Sequence, residues 1–172
     1  MINLFIGYIF IFFHIKINGI DLLADFIGYI LIYRGLCALS DEAEAFRKAK
    51  PWTLAMVIVE IIRFADNFIG ILPSSTGLII LNLITMIVSI YIMYLVSTGI
   101  YQTEQRNGLE LNSGKILTVW KFQAVFTIAG VALAWILLLA SLSAVAGMIT
   151  NIVFLVYLYK AAKIFENSKT QI

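Results

Sequence analysis

Apolar residues run along this chain in long blocks, and polar residues break those blocks at only a few points. A membrane-crossing helix needs about 20 mostly apolar residues. Four blocks reach that length: 52–72, 78–98, 117–139 and 143–163. The last two first look like one run from Phe122 to Tyr159. As a single helix that run would measure about 57 Å, nearly twice the hydrocarbon core. It must fold back, and the small residues Ala140, Ser141, Ser143, Ala144 and Gly147 mark the expected turn.

The start of the chain is less regular. Leu4 to Phe13 is a short apolar run ended by His14 and Lys16, and Asp21 and Asp25 precede a second run from Phe26 to Tyr33. Each reaches span length only if its ends snorkel. They are read as two short spans, 2–18 and 21–39, or alternatively as a re-entrant hairpin that enters and leaves on one face. The pattern therefore predicts an all-α integral membrane protein, a six-helix transmembrane bundle in a single polytopic domain over 1–172.

Two soluble pieces remain. Residues 40–50 predict a short surface helix, with Ser40 as N-cap, acids in its first turn, bases in its last, a Glu44/Lys48 i,i+4 pair and Pro51 as its stop. Residues 101–115 predict a polar connector with an Asn107-Gly108 turn, and Asn112-Ser113 cap the fifth span.

Composition strengthens the membrane reading. The 172 residues are 62% hydrophobic and 13% charged, against about 45–50% and about 25% in soluble domains. Disorder demands the opposite balance. A net charge of +2 and one Cys argue against a nucleic-acid partner and a disulfide scaffold. Arg34, Arg47, Lys48, Lys50, Arg106, Lys115, Lys160, Lys163 and Lys169 fall in alternate loops and the tail, which predicts both termini cytoplasmic. No cleaved signal sequence or lipidation box is read at the ends.

The charges that remain inside the spans locate the candidate chemistry. The third span carries Glu60, Arg63, Asp66 and Asn67. Each charge near the bilayer centre costs about 2.5–3.5 kcal/mol on insertion. Roughly eleven large apolar residues return only about 5.5 kcal/mol, so this helix needs partners on its polar side. Thr53, Met56, Glu60, Arg63 and Asn67 form one helical stripe bordered by Asp66, and Asn82, Thr85 and Ser89 form another on the fourth span. Antiparallel neighbours with matched midpoints place Asn67 near Asn82, Arg63 near Thr85 and Glu60 near Ser89. This polar seam is read as structural, with a proton or ion pathway or a ligand pocket as the functional alternatives. Neither Gly nor Pro interrupts the two spans midway, which argues against the broken helices of transporters.

A second group, His14, Asp21 and Asp25 with Lys16 beside them, marks the outer end of the first hairpin. A metal site needs three or four convergent ligands. The acids suit the positive N-terminus of the second span instead, and no metal or cofactor is expected. Cys37 is expected to be a small packing residue. No nucleophile elbow, phosphate loop or HExxH appears, so the chain is not read as an enzyme and no catalytic residue is assigned. In the last hairpin, Gly130 is expected near Asn151 and Ala134 near Gly147, with small residues letting the helices approach. Trp120 and Lys121 are expected as interfacial anchors.

The segment Ile20-Asp21-Leu22-Leu23-Ala24-Asp25-Phe26-Ile27-Gly28-Tyr29-Ile30, followed by Gly35-Leu36 and by Phe46-Arg47-Lys48-Ala49-Lys50-Pro51, resembles the opening of a group of small multi-pass membrane proteins of Gram-positive bacteria. The likeness covers about the first third of the chain and departs at Ala24, where the group has Pro. It implies a bacterial plasma membrane location and no activity or site residue. The expected partners are the lipid bilayer and a membrane protein, or a second copy of the chain. The expected role is to assemble with or regulate that partner; a small ion or solute transporter is the alternative.

Overall fold

The computed structural model of the chain describes residues 1–12, 16–17, 20–21, 25–69, 75–133 and 136–170. Among them are six helices and one pair of two-residue strands: α1 (Ile2–Phe12), β1 (Lys16–Ile17), β2 (Ile20–Asp21), α2 (Asp25–Ala38), α3 (Glu44–Ile69), α4 (Ser75–Asn107), α5 (Ser113–Ala132) and α6 (Leu137–Thr170). Each helix packs on its neighbour in sequence, and α6 packs on α1, which closes a ring. The strands are antiparallel, with Lys16 opposite Asp21 and Ile17 opposite Ile20.

Three helices, α4, α5 and α6, are long and apolar enough to cross a membrane. The other three fall short for different reasons. α1 and α2 have 11 and 14 residues, or about 16 and about 21 Å at 1.5 Å per residue, against a hydrocarbon core of about 30 Å. α1 ends at Phe12 within the expected span 2–18, and α2 begins at Asp25 within the expected span 21–39. α3 has 26 residues, and the charges at Glu60, Arg63 and Asp66 take it out of the apolar class.

The expected surface helix 40–50 and span 52–72 are one helix. Pro51 lies inside α3 instead of ending the preceding piece. A proline there removes the donor to the Arg47 carbonyl, and both residues are exposed, so solvent can take that carbonyl. Ser40 does not cap this helix. Its Oγ donates to the Cys37 carbonyl at 2.8 Å, closing the end of α2. The expected Glu44/Lys48 pair is present at 3.0 Å.

The connector 101–115 is also shorter than expected, because α4 stays helical to Asn107. Gly108 and Asn112 then turn the chain with φ of 65° and 58°, in the left-handed region that suits glycine and asparagine. Asn112 holds the N-cap position of α5 but makes no side-chain cap bond. Glu104 on α4 does that work, accepting from Ser113 N at 3.0 Å and from Ser113 Oγ at 2.8 Å. α5 ends at Ala132 and α6 begins at Leu137, about two helical turns before the centre of the small-residue stretch expected to mark the turn. Ala140, Ser143, Ala144 and Gly147 are helical. Small residues mark close helix approach as readily as turns, and periodicity alone did not separate the two.

Met1 lies 3.7 Å from Glu166, so both chain ends sit at one end of the bundle. The core is concentrated toward that end. Phe46, Ile92, Ile100, Phe154 and Leu158 are among the fully buried side chains there. Phe46 fits because Gly99 carries no side chain; a Cβ at 99 would lie 2.4 Å from its ring. Burying such a ring from water is worth about 1.5–3 kcal/mol. Outward-facing Leu83, Ile87, Val125, Val145 and Met148 clothe the rest. α1 runs beside the termini-bearing half of α6, with Phe5 against Tyr159, Tyr8 against Phe154 and Phe12 against Phe154. From Phe154 to the far end of α6 is about 25 Å. α1 therefore ends far short of the opposite end of the bundle.

The candidate polar seam

The seam begins with the buried face of α3. Thr53, Met56 and Glu60 are buried, while Leu54, Ile58, Ile61 and Ile62 face outward. This is the stripe that the sequence periodicity places on one side. Thr53 satisfies its hydroxyl within its own helix, donating to the Ala49 carbonyl at 2.9 Å. Glu60 is 9% exposed.

Arg63 is the centre of the arrangement. Its Nη1 lies 3.6 Å from Glu60 Oε1, one helical turn away. Its Nη2 donates to Asn82 Oδ1 at 2.9 Å and to Thr85 Oγ1 at 3.0 Å, both on α4. Thr85 completes its own bonding by donating to the carbonyls of Leu81 and Asn82 at 3.0 and 3.1 Å. The guanidinium thus ties α3 to α4, and Arg63 meets Thr85 as matched midpoints placed it.

The other two expected pairings are described only in part. Asn82 is held by Arg63, while the side chain of Asn67 lies outside the described residues. The Ser89 Oγ pairs with the Tyr29 hydroxyl on α2 at 2.5 Å. Tyr29 extends the seam from two helices to three, and Phe26 beside Phe64 continues the α2–α3 contact. The polar stripes of α3 and α4 gave no indication of a partner from α2, because Tyr29 sits in an apolar run. Asp66 is half-buried at the border of the stripe.

The outer-face group is not brought together as a site. His14 lies outside the described residues, and Asp21 is described only through its backbone in β2. Asp25 opens α2 and supplies the acid of its first turn, where the helix dipole favours a carboxylate. Among the described residues no three His, Cys, Asp or Glu form a group that could hold a metal ion. Cys37 is exposed at the bundle surface and is not the packing residue the sequence suggested.

A second polar contact joins α5 to α6. Gln123 Nε2 donates to Asn151 Oδ1. The expected neighbour of Asn151 was Gly130, but the earlier turn shifts the register, and Gly130 lies opposite Ser143. Ala134 lies outside the described residues, and a Cβ on Gly147 would meet nothing within 4 Å. The small residues leave a groove of about 520 Å³ between the two helices in place of a tight seam. Gln123 was legible after all: it lies one turn before Thr127 on the same face. The Trp120 indole of α5 donates to the Ile90 carbonyl of α4 at 3.1 Å. No protein-family model, curated protein or solved structure matches the chain.

Proposed function

We propose that this chain is a non-enzymatic multi-pass protein of a bacterial plasma membrane that assembles with or regulates a membrane partner, and that its polar seam is an internal clasp. The observation that carries the reading is the bonding of Arg63. Every hydrogen bond and ion pair of its guanidinium described above goes to a side chain of this same chain. A clasp of this kind offsets the insertion cost of the α3 charges and leaves the lateral apolar surface as the chemistry offered to a partner.

In this reading α3 crosses the membrane with α4, α5 and α6, and α1 and α2 form the re-entrant form of the first hairpin. Trp52, Tyr91, Tyr94 and Trp120 form an aromatic arc across α3, α4 and α5, of the type found at membrane interfaces. From Trp52 to Ile69 α3 rises about 26 Å, close to a span. Four crossings keep both termini on one side, and the Lys and Arg distribution makes that side cytoplasmic. The likeness of residues 20–51 to small Gram-positive membrane proteins favours the same location.

The transporter alternative draws on one observation: Arg63 is 25% exposed and Asn82 is exposed, so the seam is open at one end. Ion flux in proteoliposomes separates the two readings. A clasp gives no flux above empty vesicles, and Glu60→Gln lowers the yield of folded protein. A flux that Glu60→Gln reduces in a still-folded chain overturns it.

A further inference from the structure

Where α1 packs on α6, the two helices leave an open groove of about 310 Å³. Phe5 and Ile9 line it from α1, and Ile152, Leu155, Val156 and Tyr159 line it from α6. Its open wall is entirely apolar, and Ile152, Val156 and Tyr159 are exposed along it. A helix about 10 Å across fills about 420 Å³ per turn. The groove is therefore too small to seat even one turn of a partner helix, whereas a single hydrocarbon chain is slim enough to lie in it.

The end of the groove nearest the chain termini is basic. Ile152, Val156, Tyr159 and Lys163 follow i, i+4, i+7, i+11, one stripe of α6. Lys160 stands one turn beyond Val156. Its ammonium lies 5.8 Å from the centroid of the Tyr157 ring, and the ammonium of Lys115 on α5 lies 5.5 Å from the same centroid. All three lysines are exposed, and none is ion-paired to an acid among the described residues. Glu166, the one acid of α6, is engaged by the Met1 ammonium at 3.7 Å and by Ile2 N at 3.2 Å. From Ile152 to Lys163 α6 rises about 16 Å, close to half of a hydrocarbon core of about 30 Å. An apolar track one leaflet deep that ends on unpaired cations matches the shape and charge of an anionic phospholipid. We propose that the α1–α6 groove is a binding site for an anionic phospholipid, with one acyl chain along the groove and the phosphate held by Lys160 and Lys163.

The proposal rests on α6 crossing the membrane and not on the clasp, because neither Glu60 nor Arg63 lines the groove. The test uses the full chain in phosphatidylcholine nanodiscs. Two probes carry a photoreactive diazirine on an acyl chain, one a phosphatidylglycerol and one a phosphatidylcholine, and adducts are mapped by mass spectrometry. The phosphatidylglycerol probe should label residues 5–9 and 152–159 saturably and be displaced by unlabelled phosphatidylglycerol. The phosphatidylcholine probe should label the groove weakly and without saturation. Lys160→Gln with Lys163→Gln, both at exposed positions, should raise the phosphatidylglycerol fraction needed for half-saturation about twentyfold. Val156→Trp, which fills the groove and leaves the lysines in place, should remove the groove adducts. Equal labelling by the two probes, an anionic preference unmoved by the double substitution, or groove adducts that survive Val156→Trp would overturn the site. So would a groove closed to both probes, the result expected if a partner protein or a second copy covers it. A chain that does not insert into nanodiscs at all would overturn the membrane reading itself, a result distinct from these.

Discussion

Arg63 on α3 donates to Asn82 on α4 at 2.9 Å, from the same nitrogen that donates to Thr85 at 3.0 Å. With Glu60 at 3.6 Å on the other nitrogen, one guanidinium neutralises a buried carboxylate and joins two helices. Arginine suits this position because its rigid fork serves several acceptors at once.

Removing the fork should therefore do more harm than removing the whole pair. Arg63→Met breaks the bonds to Asn82 and Thr85 and leaves Glu60 buried without its cation, and should cost about 1–3 kcal/mol. The double substitution Glu60→Leu with Arg63→Leu removes the stranded charge as well and should recover part of that loss. Thermal unfolding in detergent, followed by circular dichroism, measures both. A double variant less stable than Arg63→Met would contradict the pairing.

The close approach of α1 and α2 depends on glycine. A Cβ on Gly28 would lie 2.9 Å from the Gly7 carbonyl oxygen and 2.8 Å from Ile11 Cγ1. Gly28→Ala should lower stability by about 1–3 kcal/mol, as overpacking does. Gly147→Ala, with nothing within 4 Å of the new methyl group, should be neutral or slightly stabilising, since alanine favours the helix. Melting curves of the two variants, run side by side, give the comparison; equal effects would remove the tight α1–α2 contact.

Glu104 starts α5 from a different helix by holding both Ser113 N and Ser113 Oγ. Glu104→Ala should cost about 1 kcal/mol, as loss of an N-cap does. The loss should be local. Hydrogen exchange should quicken in the first turn of α5 and stay unchanged in the core of α6. Exchange that is unaltered at residues 113–116 would show that the start of α5 does not need Glu104.

Acid should loosen the end of α6. Lys169 bonds to Glu42 at 2.8 Å, and Asn107 also donates to it. The Lys169 bond is the main cause that holds the Glu42 carboxyl below its ordinary value of 4.5. A lowered folded-state value means the contribution is complete above pH 4.5 and is lost as the pH falls through the depressed value. Lys169 is exposed and Glu42 half-buried, so the effect should be small and weakened by salt. A nitroxide at Asn167 should be restrained at neutral pH and more mobile in acid at low ionic strength. An unchanged spectrum would contradict the tie.

The sequence made the seam legible because helical periodicity fixes which residues share a face. Glu60, Arg63, Asn82 and Thr85 follow directly from it. Tyr29 was not legible: a tyrosine in an apolar run has no periodic mark, and only the packing of α2 brings it to Ser89. The element ends failed for physical reasons. Pro51 is tolerated where solvent can take the freed carbonyl. The helix-forming stretch 101–107 extends α4 past its apolar block. The small residues 140–147 serve a groove, not a turn. The α1–α6 groove depends on contact between the two ends of the chain and leaves no signal along it.

Aqueous access to the Glu60 face decides most directly whether the seam is a clasp. With Cys37, the chain's one cysteine, changed to serine, single cysteines at Met56, Glu60 and Ile61 are challenged in folded, membrane-embedded protein. Met56 and Glu60 are buried, and Ile61 faces outward. A clasp leaves positions 56 and 60 closed to a water-soluble maleimide, with 61 open only to a lipid-soluble one. Labelling of 56 or 60 from water would mean a hydrated path runs along α3, and the clasp would be wrong.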